Sequence, residues 1–280
     1  MKSGKAGLAL MPPAAWIDVA GTSVELLRMG QGRPLLFLHG MDGLEGSLDV
    51  IRSLSQQFQV FAPSHPGFGA SELPASFDTV DDIAYLYLDL LETLALDDVL
   101  VVGMSFGGWI AAEMLIKNRT GISQLVLGAP LGLRTSDRRR QDMTDIFMLP
   151  AQAADRLLQV TPLTDINPAQ VEDDRLRRLL RNREAVSLFG WSPYLNDPKL
   201  RQRLHRIGVP TLVIWGADDS LIPPTYGEDY ARTIPDARLE TIAACGHRIA
   251  IDQPEQLVRL IIGFSSKTRT TEADHARVAV

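Results

Sequence analysis

The sequence predicts an α/β fold in which a mostly parallel sheet is covered by helices on both faces. Short unbroken apolar runs recur along the chain and alternate with stretches of helical periodicity. Continuous apolar runs are typical of strands buried on both faces, as in a parallel sheet between two helix layers. The alternation of the two patterns indicates βαβ units with right-handed crossovers.

The strands are predicted in order along the chain. The segment AWIDVAGTSVELLRMGQG contains two strand-like runs around Gly21-Thr22, which indicates a leading antiparallel hairpin closed by Gly30 and Gly32. The buried runs follow as LLFL at 35–38, VFA at 60–62, VLVV at 99–102, LVL at 125–127 and LVIW at 212–215, with RLETI at 238–242 as a further strand.

Two helices stand out between and after these strands. The stretch 78–96 has apolar residues at helical spacing, with Asp78 or Thr79 available as the N-cap and Asp81 and Asp82 in the first turn. A second helix is predicted from Gln253 to Phe264, after the last strand.

The stretch 131–207 interrupts this rhythm, because it is rich in Arg, Asp, Leu and Pro and has helical periodicity without a clear strand. We expect a core in two parts, 1–130 and 208–266, a helical cap insertion at 131–207 that acts as a lid, and a disordered tail at 267–280.

Composition narrows the class of function. The 280 residues are 45% hydrophobic and 22% charged, as in soluble globular proteins, and the formal charge of −6 argues against a nucleic-acid partner. The single cysteine, Cys245, cannot form an intrachain disulfide, and we expect it to pack as a small hydrophobe. No run approaches the roughly 20 apolar residues of a membrane span, and the apolar stretch 6–11 is too short for a signal peptide. These features predict a cytoplasmic protein with no membrane partner.

The sharpest chemical signal is VLVVGMSFGGWIAAEML. Gly103-Met104-Ser105-Phe106-Gly107 fits G-x-S-x-G directly after a buried strand and before an apolar helix. A chain that turns from strand to helix in so few residues leaves little room near the serine, which is why the motif needs glycines. This setting predicts Ser105 as a nucleophile at the carboxyl edge of the sheet.

A serine hydroxyl needs a base, and the base needs a third group that fixes its tautomer. Downstream of Ser105, His205 lies in the insertion and His275 in the tail, whereas His247 lies in a glycine-flanked loop between a strand and a helix. His247 is therefore the predicted base. For the acid, WGADDSLIPP supplies Asp218 and Asp219 after the run LVIW, and the physics of the sequence alone does not choose between them.

Five motifs in order resemble the α/β-hydrolase superfamily, of the single-domain type with a helical lid, over roughly residues 16–266. They are LLFLHGMDG, FAPSHPGFGASE, VVGMSFGGW, VIWGADDSLIP and CGHRIAIDQPE. The resemblance implies an eight-stranded sheet and favours Asp219 as the acid. It also implies that the backbone N–H groups of Met41 and Phe106 face the oxyanion of a tetrahedral intermediate. We expect His39 to tie loops together and His65 to belong to a turn.

The predicted reaction is cleavage of a small-molecule carboxylic ester through an acyl-enzyme, without a cofactor. The histidines show no metal-ligand spacing such as H-E-x-x-H, and no phosphate-binding loop is present.

Two alternatives stay open. Hydrolases of ring-fission products cleave carbon-carbon bonds, but they commonly have an asparagine before the serine and a tryptophan after the histidine, where this chain has Met104 and Arg248. A binding protein that keeps the fold without turnover is an alternative of another class. In the insertion, we expect the arginines of RLRRLLRNRE, from Arg175, to form a solvated helix face and the aromatics Phe189, Trp191 and Tyr194 to fix the lid to the core. Oligomeric state has no signal in the sequence.

Overall fold

A computed structural model describes residues 12–134, 143–161 and 171–278. Within these residues, eight strands form one sheet in the order β1-β2-β4-β3-β5-β6-β7-β8. The strands are β1 (Ala15–Val19), β2 (Thr22–Met29), β3 (Arg33–Leu38), β4 (Phe58–Pro63), β5 (Val99–Met104), β6 (Ile122–Gly128), β7 (Thr211–Gly216) and β8 (Ala237–Ile242). β1 pairs antiparallel with β2 and β2 antiparallel with β4, and the remaining pairs are parallel. The predicted mostly parallel sheet is confirmed.

The leading hairpin forms because its two turn residues adopt left-handed backbone conformations. Ala20 has φ 49° and Gly21 has φ 84°, and Val19 pairs directly with Thr22. Two consecutive residues with positive φ give the tight turn that matches the twist of an antiparallel pair. The hairpin adds an antiparallel edge to the parallel strands.

Helices fill the connections between the strands. They are α1 (Leu48–Leu54), α2 (Val80–Thr93), α3 (Phe106–Lys117), α4 (Ala151–Leu158), α5 (Asp173–Gly190), α6 (Leu200–Arg203), α7 (Thr225–Thr233), α8 (Ile249–Asp252) and α9 (Pro254–Val278). α1 packs against α9, and α2 packs against α3. Every residue of β5 and β7 is buried, so both faces of the central sheet are covered.

The predicted capped helix begins where a capping box forms. Thr79 is the N-cap of α2: its hydroxyl accepts from the Asp82 N–H at 3.3 Å, and the Asp82 carboxylate accepts from the Thr79 N–H at 2.9 Å. Two N–H groups that no helical carbonyl could reach are thus satisfied.

The chain between β6 and β7 contains α4, α5 and α6 among its described residues, together with an isolated bridge between Gly132 and Asn196. The last helix is longer than expected. The helical backbone of α9 passes the predicted end at Phe264 and continues to Val278, through most of the 267–280 segment for which a disordered tail was expected. No proline and no glycine follows Gly263, so nothing in the sequence stops the helix there.

Candidate active site

Ser105 lies on a sharp turn between β5 and α3, at the carboxyl edge of the sheet. Its backbone has φ 50° and ψ −112°, a conformation that non-glycine residues rarely adopt. Such strain costs about 1–3 kcal/mol and persists only where the surroundings impose it. Two glycines beside Ser105 allow the close backbone packing that imposes this conformation. A Cβ at Gly107 would lie 2.2 Å from the Leu38 carbonyl oxygen, and one at Gly103 would lie 2.5 Å from the Gly107 carbonyl oxygen.

Three side chains that are far apart in the sequence form a hydrogen-bonded chain at this edge. Ser105 Oγ lies 2.7 Å from His247 Nε2, and His247 Nδ1 lies 2.9 Å from Asp219 Oδ2. A carboxylate can only accept, so His247 Nδ1 carries the proton and donates a hydrogen bond to Asp219. His247 Nε2 is then left with a lone pair that accepts the Ser105 hydroxyl.

The two adjacent aspartates have different surroundings. Asp219 is buried, and its second oxygen, Oδ1, accepts from the backbone N–H groups of Leu221 at 3.0 Å and Ile222 at 2.9 Å. Asp218 is exposed, and its own N–H donates to the Cys245 carbonyl. The structure therefore brings Asp219, and not Asp218, to the imidazole.

The glycine of WGADD, Gly216, allows the end of β7 to pass close to the loop that carries the histidine. A Cβ at Gly216 would lie 2.2 Å from the Gly246 carbonyl oxygen, so the end of β7 and the histidine loop can cross only because position 216 lacks a side chain. Cys245, in the same loop, is buried, and burial raises the pKa of its thiol to about 12. A thiol with that pKa is not a nucleophile near neutral pH, as expected for a packing residue.

The predicted oxyanion loop passes close to the serine. A Cβ at Gly40 would lie 3.3 Å from Ser105 Cβ, and the Gly43 N–H donates to the Gly40 carbonyl at 3.1 Å, which closes a turn over 40–43. Met41 lines a recess together with Ser105 and His247. Phe106 is the first residue of α3, where backbone N–H groups have no partner within the helix.

His39 and His65 form a buried pair behind this loop. The His65 N–H donates to His39 Nε2 at 3.1 Å, His65 Nε2 lies 2.9 Å from the His39 carbonyl oxygen, and Tyr87 Oη lies 2.6 Å from His65 Nδ1. Burial lowers the pKa of His39 to about 4, and burial and the neighbouring His39 lower that of His65. The His39 ring ties two loops together, as expected, and the Phe68 N–H donates to the His65 carbonyl at 2.8 Å, which places His65 in a turn, also as expected.

Arg248 is the residue of the site that sequence reasoning missed. The sequence alone distinguishes it only as an arginine at the position where hydrolases of ring-fission products commonly have a tryptophan. Its Nε and Nη2 donate to the two carboxylate oxygens of Asp42 at 2.8 and 2.6 Å. Its Nη1 donates to Asp155 at 2.8 Å and to Gln159 at 3.0 Å. One guanidinium thus joins the histidine loop, the loop 40–43 and α4 with the residue that follows it.

The expectation of a solvated arginine face on α5 is wrong for Arg178 and Arg181, and the half-buried Arg175 forms an ion pair with Glu45 at 3.4 Å. Arg178 makes two hydrogen bonds to the buried Glu25 of β2, at 2.9 and 2.6 Å, and Arg181 donates to the carbonyls of Gly67 and Ser71. The pKa of Glu25 is lowered, because the hydrogen bonds it accepts, with that of Arg178 first among them, outweigh burial, which alone would raise it. Asn182 is a further polar contact, as its Oδ1 accepts from the Gly69 N–H at 2.9 Å and its Nδ2 donates to the Asp42 carbonyl at 3.1 Å.

A signal for these contacts exists in the sequence. Residues 178, 181, 182, 185 and 189 recur at helical spacing, and Ala185 and Phe189 are buried. The aromatic residues that were expected to fix the insertion to the core differ in burial. Phe189 packs against Phe106 with ring centroids 6.3 Å apart, whereas Trp191 is 60% exposed and does not fix this segment to the core.

Comparisons with known proteins identify the family to which this fold belongs. A model of the alpha/beta hydrolase fold family matches residues 33–254. The chain is 28% identical over 249 residues to the pimeloyl-[acyl-carrier protein] methyl ester esterase of Nitrosomonas europaea, covering 84% of this chain and 97% of the relative. It is 26% identical over 258 residues to a 2-hydroxy-6-oxo-6-phenylhexa-2,4-dienoate hydrolase of Burkholderia cepacia, covering 86% of this chain and 90% of the relative.

A solved structure and a longer relative complete the comparison. The fold superposes on a meta-cleavage product hydrolase from Pseudomonas fluorescens with a TM-score of 0.73 at 22% identity, covering 91% of this chain and 98% of the other. The chain spans 13% of the length of the polyketide synthase ThaQ of Burkholderia thailandensis, to which it is 28% identical over 275 residues. Among the helices described here, none has the length and apolar character to cross a bilayer.

Proposed function

Because the chain belongs to the alpha/beta hydrolase fold family, we propose that it is a serine hydrolase that cleaves a small carboxylic ester through an acyl-enzyme. The observation that carries the proposal is the hydrogen-bonded chain from Ser105 Oγ to His247 at 2.7 Å and from His247 to Asp219 at 2.9 Å. The direction of these hydrogen bonds suits nucleophilic catalysis, because the imidazole nitrogen that faces the Ser105 hydroxyl is the one without a proton.

The reaction proceeds in two halves. Ser105 Oγ attacks the ester carbonyl carbon while His247 Nε2 takes the hydroxyl proton, and Asp219 stabilises the resulting imidazolium. The tetrahedral oxyanion accepts from the N–H groups of Met41 and Phe106, and a donor of this kind contributes roughly 2.7–4 kcal/mol of transition-state stabilisation. The intermediate collapses, the alcohol leaves with the proton from His247, and a water molecule then attacks the acyl-enzyme by the same steps to release the acid.

The segment 131–207 is assigned the role of a cap over this site. α5 supplies side chains to the carboxyl edge of the sheet: Arg178 contacts Glu25 of β2, and Arg181 and Asn182 contact the loop that follows β4. α4 and the residue after it supply Asp155 and Gln159 to Arg248. A segment held at this edge lies where substrates of α/β proteins enter.

Turnover of a short-chain ester tests the proposal. The full chain should hydrolyse 4-nitrophenyl butyrate, and Ser105→Ala should abolish the reaction. A fluorophosphonate probe should add its phosphonyl mass to the protein, not to Ser105→Ala, and only slowly to His247→Ala. Binding of esters without steady-state release would instead indicate a ligand-binding protein on this fold.

Hydrolysis of a carbon-carbon bond in a ring-fission dienoate is the second candidate, because two relatives carry the name of a dienoate hydrolase. Met104 and Arg248 occupy positions where such enzymes commonly have asparagine and tryptophan, and the Arg248 guanidinium is engaged by Asp42, Asp155 and Gln159. We therefore favour the ester. A higher kcat/KM for a 2-hydroxy-6-oxo-dienoate than for any ester in a matched panel would reverse the order.

A further inference from the structure

Arg248 lies directly after the proposed base and is largely enclosed, with a side-chain exposure of 10%. Two of its nitrogens form a parallel fork on the Asp42 carboxylate, at 2.8 and 2.6 Å. The third nitrogen reaches Asp155 and Gln159. A planar guanidinium fixes a carboxylate in both position and orientation, which the single ammonium group of a lysine does not.

The carboxylate held in this way belongs to the loop that passes over the serine. Asp42 is the neighbour of Met41, one of the two proposed oxyanion donors, and its loop closes through the Gly43 N–H to the Gly40 carbonyl. The Asp42 carbonyl is held from the other side by Asn182 at 3.1 Å. The loop therefore has one anchor on its side chain, from Arg248, and one on its backbone, from α5.

Among the described residues, Arg248 is the one cation in a cluster with two carboxylates. Its guanidinium faces the carboxylates of Asp42 and Asp155, and the first of these contributes most to keeping it protonated in spite of burial. A cation already engaged by two carboxylates and an amide is a poor receptor for a further anion, because a substrate carboxylate would have to displace one of them. The geometry favours a structural connection over recognition of a substrate anion.

We propose that Arg248 is a positioning residue of the serine hydrolase reaction: through its fork on Asp42 it holds the oxyanion loop so that the Met41 N–H points at the oxyanion above Ser105. The inference rests on the proposed function and adds a residue to it. Arg248 contacts no reacting atom. It acts by keeping a donor aligned at the moment when negative charge develops.

The test uses the full chain and four single substitutions. Arg248→Met removes the guanidinium and keeps most of the stem, Asp42→Asn removes the charged acceptor at constant volume, and Asp155→Asn removes only a contact with α4. Arg201→Met is the matched control, since it breaks a guanidinium–carboxylate pair with the buried Asp229 between α6 and α7, and neither residue contributes to the site. Urea unfolding of each variant verifies that it is folded.

Losing an oxyanion donor outright lowers kcat about 100- to 1,000-fold, so misaligning one is expected to lower it about 10- to 100-fold in Arg248→Met and Asp42→Asn. KM for 4-nitrophenyl butyrate should change by less than about threefold, because the ground-state ester uses the donor weakly. Asp155→Asn should lower kcat less than Asp42→Asn, and Arg201→Met should leave it unchanged. A double variant that combines Arg248→Met with Asp42→Asn should be no slower than the slower of the two single variants, because both changes break the same interaction.

Affinity for an alkyl boronic acid separates positioning from a general loss of structure. The boron atom accepts the Ser105 oxygen and becomes tetrahedral and negatively charged, so the adduct uses the oxyanion donors, whereas a non-cleavable amide analogue of the ester uses them little. We expect Arg248→Met to weaken boronate binding in proportion to its loss of kcat/KM and to leave amide binding unchanged. Equal weakening of both ligands would overturn the proposal.

Three further outcomes would also contradict it: wild-type kcat in Arg248→Met, multiplicative losses in the double variant, or an increased KM confined to esters whose acyl chain ends in a carboxylate. The last would identify Arg248 as an anion receptor. If Arg248→Met does not fold, Asp42→Asn decides the same question. Failure of the proposed function is recognised separately, because then the wild-type protein and Ser105→Ala would not differ in ester turnover.

Discussion

Replacing Asp219 by asparagine tests whether its carboxylate determines which nitrogen of His247 carries the proton. The substitution preserves volume and removes one negative charge. Its consequence depends on which way the new amide faces, because the amide has one acceptor and one donor group where the carboxylate has two acceptors.

The structure decides that orientation. At present Asp219 Oδ1 accepts two backbone N–H groups, from Leu221 at 3.0 Å and Ile222 at 2.9 Å, and Oδ2 accepts one N–H, from His247. The amide oxygen will keep the side with two donors, and the NH2 group will face His247 Nδ1. The imidazole then carries its proton on Nε2, where it cannot accept the hydroxyl of Ser105.

The magnitude follows from the cost of restoring the active tautomer. Turning the amide over would leave two buried backbone N–H groups without an acceptor, at about 1–3 kcal/mol each. A penalty of about 2–6 kcal/mol corresponds to a loss of roughly 30- to 20,000-fold in kcat. The about 10⁴-fold loss known for this change in a serine protease lies within that range.

The assay is steady-state hydrolysis of 4-nitrophenyl butyrate, with urea unfolding to verify the fold. Asp218→Asn is the matched control, because it makes the same chemical change one residue earlier at an exposed side chain. We expect Asp219→Asn to lose kcat with little change in KM and Asp218→Asn to retain it. A loss below tenfold in Asp219→Asn, or an equal loss in Asp218→Asn, would refute the reasoning.

Two further predictions concern stability. The pKa of buried His39, lowered from 6.5 to about 4, makes the unfolded chain bind more protons between these pH values, so the free energy of unfolding falls as pH decreases through this window, by about 3 kcal/mol for this residue. Urea titrations from pH 7.5 to 5 should show a shallower loss for His39→Gln than for the wild type, and identical slopes would contradict the assignment. Glu25→Gln should lower the free energy of unfolding at pH 7 by about 3 kcal/mol, since it leaves Arg178 facing an amide in a part-buried position. The control is Asp174→Asn, whose partner Arg177 is exposed, and equal effects of the two changes would show that the α5 contact with β2 carries no stability.

The sequence was sufficient for the sheet and for the serine and histidine positions because their signals are local. A buried strand is a run of adjacent apolar residues, and the turn at Ser105 requires glycines at fixed offsets on either side. The acid is the intermediate case. Asp218 and Asp219 are chemically identical neighbours, and only the path of the loop after β7 decides which one is buried beside the imidazole.

The contacts of Arg248 and α5 could not be predicted in the same way because their partners are distant in sequence. Arg248 and Asp42 are 206 residues apart, and Arg178 and Glu25 are 153 apart. The composition of an arginine-rich helix does not distinguish Arg177, which is exposed, from Arg178, which is bound to a buried carboxylate. One residue along a helix is a rotation of about 100°, which is enough to move a side chain from solvent to the core.

These distant contacts all join the insertion to the core near the carboxyl edge of the sheet. α5 contacts Glu25 of β2, the turn after β4 through Gly69, and the loop 40–43 through Asp42. α4 and the residue that follows it reach the histidine loop through Arg248. Each contact places a polar or charged group of the insertion against a polar group of the core, and leaving such a group without a hydrogen bond where it is buried costs about 1–3 kcal/mol. We therefore expect a substitution in the insertion to displace the loops around Ser105. The geometry of the proposed site would then depend on residues far outside the five sequence motifs.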